Sequence, residues 1–157
     1  MFAHCRSLGL HAVAHAGEEG SAASITGAID ALGVERIDHG VRCLEDESLV
    51  RRLVRDAIPL TVCPLSNVRL RVVDTLAEHS LPRLLAAGLR ATVNSDDPAY
   101  FGGYVNTNFR ECLAALPLTK ADAHTLLRNS FLASFLPAAV KARHIAEIDV
   151  IFAADGG

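Results

Sequence analysis

Four short clusters hold the residues with chemical capacity: His15-Ala16-Gly17-Glu18, Asp38-His39-Gly40, Cys63-Pro64-Leu65-Ser66-Asn67 and Asn94-Ser95-Asp96-Asp97-Pro98. His15 offers a neutral imidazole to a metal ion. Its alternative is a hydrogen-bonded histidine at a sheet edge, and His39, before Gly40, carries the same two readings. Glu18 follows a glycine that lets the chain turn, so it can reach back as a general acid or base. It also suits the first turn of a helix, shared with Glu19, where the dipole favours acids. Asp96 and Asp97 are adjacent carboxylates, whose repulsion a cation or hydrogen-bond donors relieve. One reading makes Asp96 a metal ligand and turns Asp97 toward a substrate donor; the other makes the pair an N-cap and turn.

Ser66 and Asn67 read as turn-stabilising rather than nucleophilic, since no G-x-S-x-G elbow surrounds Ser66. Cys63 reads as a packing residue. The other histidines, His4, His11, His79, His124 and His144, read as structural or exposed. The helical zinc motif H-E-x-x-H, the H-x-E…P-C-x-x-C signature and glycine-rich phosphate loops are all absent.

The elements that must position these clusters alternate in type. Apolar runs predict strands over Leu10–His15, Arg36–His39, Ile58–Cys63 and Arg90–Ser95, so each cluster stands at a strand's C-terminal end. Helices are expected over Ser21–Leu32, stopped by Gly33, over Asp46–Asp56 with Leu49, Val50, Leu53 and Val54 on one face, and over Leu81–Ala87. An irregular stretch is expected after Cys63. The remainder reads as helical over Val105–Ala115, Ala121–Phe135 and Pro137–Ala153, with a frayed AADGG end. His15, His39 and Cys63 fall 24 residues apart, the period of a βα unit. Strands alternating with helices predict a parallel α/β sheet, and four clusters converging on one edge mark a site.

The chain has 157 residues, half of them hydrophobic and 21% charged, which is a globular composition. A net charge of −3, scattered arginines and only two lysines give no basic footprint for nucleic acid. Aromatic residues make up 5%, with no Trp, which disfavours base-stacking platforms. No apolar stretch reaches bilayer-spanning length and no signal-peptide pattern opens the chain, so no membrane partner is expected. The four cysteines form no CxxC pair and are expected as reduced thiols in a cytoplasmic protein.

In order, the segments His15–Glu18 (HAGE), Arg36–Gly40 (RIDHG), Cys63–Asn67 (CPLSN) and Asp96–Pro98 (DDP) resemble the motifs of the adenosine/adenine deaminase family of the amidohydrolase superfamily. The likeness spans nearly the whole chain. Arg69–Asp74 and Asn94–Phe109 are similar to the adenine-deaminating branch. The resemblance implies a (β/α)8 barrel, a zinc ion, and hydrolysis of adenine to hypoxanthine and ammonia, with adenosine or another aminopurine as the alternative substrate. It implies His15 and Asp96 as zinc ligands, Glu18 as the donor to purine N1, His39 as the group that orients and helps deprotonate the attacking water, and Asp97 as a purine contact.

One departure stands out: the family's H-x-H pair, which supplies two further zinc ligands, is missing from this sequence. A full barrel also needs roughly 250 residues. The chain is therefore expected to be one N-terminally truncated domain over residues 1–157, carrying about strands five to eight and the C-terminal helices. Its expected partners are a small purine and either a missing N-terminal half or a second copy. In the latter case the alternative is a non-catalytic, self-associating half-barrel. With two protein ligands, zinc is expected to bind the lone chain weakly.

Overall fold

A computed structural model describes residues 1–154. The first helix, α1 (Phe2–Ser7), precedes four strands: β1 (Val13–Ala16), β2 (Arg36–His39), β3 (Leu60–Val62) and β4 (Ala91–Val93). The strands pair in parallel in the order β1-β2-β3-β4, each joined to the next through helix. This is the expected run of βα units, four strands of a half-barrel. β2 has the expected bounds, whereas β1, β3 and β4 are shorter than expected and start later. Leu10, exposed at the open end of the chain, and Arg90 lie outside them.

Register sorts the residues onto two faces. Ala14, Ile37, Leu60 and Ala91 stand side by side, and Ile37, Leu60 and Ala91 are wholly buried beneath the helices. The neighbouring row is His15, Asp38, Thr61 and Thr92, polar throughout. Apolar burial drives the first row inward against the helical layer. The second row is left on the face where the clusters gather.

α2 (Ala22–Gly27) continues as a wider π-type turn over Ala28–Leu32 and stops at Gly33, whose φ of +61° closes the helix as expected. α3 (Glu47–Arg55) is capped by Asp46, which accepts from the Ser48 and Leu49 amides. It buries Leu49 and Leu53, but Val54 lies at the surface, so the apolar stripe is narrower than expected. The stretch after Cys63 is not irregular. Pro64 opens α4 (Pro64–Arg69), where its missing N–H costs nothing, and a short 3-10 turn follows at Leu76–Glu78. After α5 (Leu81–Ala86) and β4 come the short α6 (Pro98–Phe101) and three longer helices, α7 (Val105–Ala115), α8 (Lys120–Leu132) and α9 (Ala138–Ala154). α8 ends before the expected Phe135. Its Asn129 donates to the Ala91 carbonyl on β4, satisfying part of that strand's outer edge. The frayed end expected at Ala153–Gly157 falls partly in α9; the rest lies outside the described residues.

Candidate active site

Two glycine turns set the first pair of functional side chains. Gly17, at φ +65°, lies so close to Ile25 that a Cβ would stand 2.3 Å from its Cδ1. Gly40, at φ +72°, would put a Cβ 2.6 Å from Leu60 Cδ2. Backbone bonds from Gly40 N–H to Ala16 O (3.0 Å) and from Arg42 N–H to Gly17 O (2.9 Å) lock the two turns together. His39 and Asp96 have φ of 67° and 56°, left-handed values that non-glycine residues rarely adopt. Strain of this kind persists only where the surroundings over-determine it, and it concentrates at functional sites.

The result joins clusters far apart in the chain. Glu18 Oε1 lies 3.0 Å from Nδ1 of the buried His39, at ion-pair distance but off the N–H axis, so that nitrogen has no aligned hydrogen bond among the described residues. His39 Nε2 lies 3.9 Å from Asp96 Oδ2. Donor atoms of His39, Cys63 and Asp96 all fall within 4.8 Å of one another. The His15 ring is 5.1 Å from that of His39, and its Nδ1 faces Asp38 Oδ2 at 3.6 Å. His15 is about 70% exposed, on the side where the sheet is open. His15, Asp38, His39, Thr61, Cys63, Asn94 and Asp96 line a depression of about 300 Å³.

Burial sets the charges. Glu18 is pushed above the usual carboxylate range, first by desolvation and then by the Asp96 charge. His39 is pushed down by desolvation and by His15. Desolvation, with the nearby Asp96, Glu18 and Asp38, raises the Cys63 thiol to about 12, so it stays protonated and packs, as expected. All four cysteines are free.

Asp97 is not drawn into this cluster. It is exposed and caps α6, its Oδ1 accepting from the Ala99 amide at 3.0 Å, which matches the N-cap reading of that residue. Ser66 and Asn67 are not nucleophiles, yet the expected turn role is incomplete. Both are wholly buried on α4; Ser66 donates to Asp96 Oδ2 (2.7 Å) and Asn67 donates to Glu18 Oε1 (3.2 Å). Thr61 and His79 received no site role from the sequence reading, and Asp38 stood in one of its clusters without one. Asp38 steadies His15 and takes a 2.6 Å bond from Thr61 Oγ1, and the buried His79 bonds Asn67. The only signal for Thr61 was strand parity, which places it on the polar row.

A carboxyl whose pKa burial raises, beside an imidazole whose pKa burial lowers and with a second carboxylate across the ring, suits proton transfer around a water or metal ion. Comparison with known proteins shows the family. Residues 1–151 match the adenosine deaminase family. An adenine deaminase of Trichlorobacter lovleyi is 63% identical over 153 residues, covering 97% of this chain and 44% of the relative. One from Streptomyces coelicolor is 61% identical over 145 residues, covering 91% of this chain and 43% of that protein. The crystal structure of an adenine deaminase from Arthrobacter aurescens superposes with a TM-score of 0.92 at 54% identity, over 94% of this chain and 45% of that one. A zinc-bound amidohydrolase from Burkholderia ambifaria gives 0.89 at 26% identity, over 98% and 43%. The chain thus spans less than half the length of the relatives it matches.

Proposed function

The chain belongs to the adenosine deaminase family, and on that premise we propose that it supplies one half of a zinc-dependent adenine deaminase. The reaction is adenine plus water to hypoxanthine plus ammonia. The observation that carries this reading is the convergence of Glu18, His39 and Asp96 from three separate strand ends, at 3.0 and 3.9 Å.

The imidazole and carboxylate donors around the depression fit zinc, with His15 and Asp96 as the residues that would hold it. Bound there, zinc would acidify a water to a pKa of roughly 7. Glu18, its carboxyl pKa raised by burial, gives a proton to purine N1 as the water adds at C6. His39, neutral and facing Asp96, orients that water and takes up its proton. Asp97 keeps one carboxylate oxygen clear of the Ala99 amide for the purine. Ser66, bonded to Asp96 Oδ2, and Asp38, facing His15 Nδ1, fix the orientation of the two ligands.

The remaining strands and ligands come from a second barrel half, so that residues 1–157 form part of a single deaminase domain. Four free thiols suit a reducing, cytoplasmic setting, and among the described residues no helix is long and apolar enough to cross a membrane. Self-association is a second reading, favoured by the outer edge of β1, which has no strand partner among the described residues.

The test co-expresses this chain with the N-terminal half of one of the relatives above, adds zinc, and follows the loss of adenine absorbance, with hypoxanthine confirmed by chromatography. Turnover abolished by Glu18→Ala supports the proposal. Turnover indifferent to that change, or consumption of adenosine but not adenine, overturns it. Native mass spectrometry separates a mixed pair from a homodimer.

A further inference from the structure

Behind Glu18 lies a run of hydrogen bonds that the chemistry above does not use. The Leu81 amide, at the first residue of α5, donates to His79 Nδ1 at 3.0 Å. That nitrogen therefore carries no proton, and the neutral ring must hold its proton on Nε2. Nε2 lies 3.1 Å from Asn67 Oδ1 and donates to it. Asn67 Nδ2 in turn donates to Glu18 Oε1 at 3.2 Å. Both intermediate side chains are sealed from water, Asn67 fully and His79 to within 4%.

The tautomer decides the amide. An asparagine can present either its oxygen or its NH2 group to a carboxylate. With Nε2–H of His79 on one side, the reversed amide would set N–H against N–H there and oxygen against oxygen at Glu18. Only one orientation satisfies every buried group.

We propose that His79 is a positioning residue for Glu18, acting through Asn67: its backbone-fixed tautomer orients the Asn67 amide, which holds Oε1 as an acceptor and leaves Oε2 as the oxygen that carries the transferable proton. This rests on the reading of Glu18 as the acid and adds to it the device that selects the reactive oxygen. Burial pushes the His79 pKa down to about 4, so the ring stays neutral and the tautomer holds across the working range.

Nuclear magnetic resonance on the isolated chain tests this without requiring turnover. In the unmodified chain the ring nitrogens of His79 are expected to show an unprotonated Nδ1 and a protonated Nε2, and the side-chain amide of Asn67 to exchange slowly. A protonated Nδ1, or an Asn67 amide exchanging as freely as an exposed one, overturns the proposal even if no variant folds. In His79→Leu, with the backbone spectrum otherwise retained, the Asn67 protection is expected to be lost and the Glu18 carboxyl carbon resonance to move. His79→Gln, which restores a donor to Asn67, is expected to return both. A Glu18 resonance unmoved in His79→Leu would mean that His79 only secures the start of α5. Adenine turnover is read separately, in the co-expressed pair of halves: its absence there counts against the proposed function and leaves these resonances to decide the role of His79.

Discussion

The Glu18 carboxylate stands 3.0 Å from Nδ1 of His39, yet the two side chains leave different turns, one after β1 and one at the end of β2. Bonds between Gly40 and Ala16, and between Arg42 and Gly17, hold those turns in register. Burial shifts the pair in opposite senses, acid raised and base lowered, and both shifts favour the neutral forms.

Glu18 carries a stability cost. A carboxyl whose folded pKa is raised binds its proton more tightly in the folded state, so the cost is absent at low pH and grows as pH rises from the ordinary value through the raised one. Glu18→Gln is expected to raise the melting temperature of the metal-free chain at pH 7 and to change it little at pH 4. Equal effects at both values would show that ionisation of Glu18 is not what the fold opposes.

His79 works in the acid direction. Its folded pKa, about 4 against an ordinary 6.5, means that the unfolded chain takes up the proton first as pH falls. The stability contributed by the neutral ring is complete above pH 6.5 and is lost between there and about pH 4, to the extent of about 3 kcal/mol. Denaturant melts at pH 7 and 4.5 should differ less in His79→Gln than in the unmodified chain. His39 titrates in the same sense and keeps some slope in both.

Zinc affinity of the isolated chain should be low. His15 and Asp96 are two protein ligands where catalytic sites generally keep three. Competition titration against a chromophoric chelator should show weak binding, weakened further by His15→Ala. A tight one-to-one complex would show that this half assembles a full ligand set by itself.

Two glycines in different settings, one in a tight turn and one in a helix, predict opposite outcomes for similar changes. Gly40→Ala places a methyl 2.6 Å from Leu60 Cδ2 at a positive φ, and should destabilise the chain by about 1–3 kcal/mol or more. Gly27→Ala, in helical geometry at φ −60° and with nothing within 4 Å, should stabilise it by about 0.5–1 kcal/mol. Urea denaturation of both variants is the check.

Much of this was legible in the residues themselves. Local signals are written in adjacent positions: Asp46 before an amphipathic run marks the start of α3, Gly33 marks a helix end, and apolar runs expected to end at His15, His39, Cys63 and Ser95 mark strand ends facing one edge. Alternating strands and helices then force a parallel sheet, because successive parallel strands need crossovers. That is enough to gather Glu18, His39 and Asp96 at one edge. The helix α4 was illegible because CPLSNV lacks an apolar period; Pro64 starts it, and Ser66 and Asn67 are buried by their distant partners rather than by hydrophobicity.

What only the tertiary structure decided is which groups meet at hydrogen-bond range and in what protonation state. Nothing near His79 in sequence distinguishes it from an exposed loop histidine, and its role depends on Asn67 and, through it, on Glu18. Asp97 shows the converse, a site motif residue whose own backbone neighbour engages it as a cap. The physical reason is common to both cases. Caps, turns and periodicity are short-range and fixed by neighbours in the chain, whereas desolvation, tautomer choice and side-chain pairing depend on groups that only packing brings together.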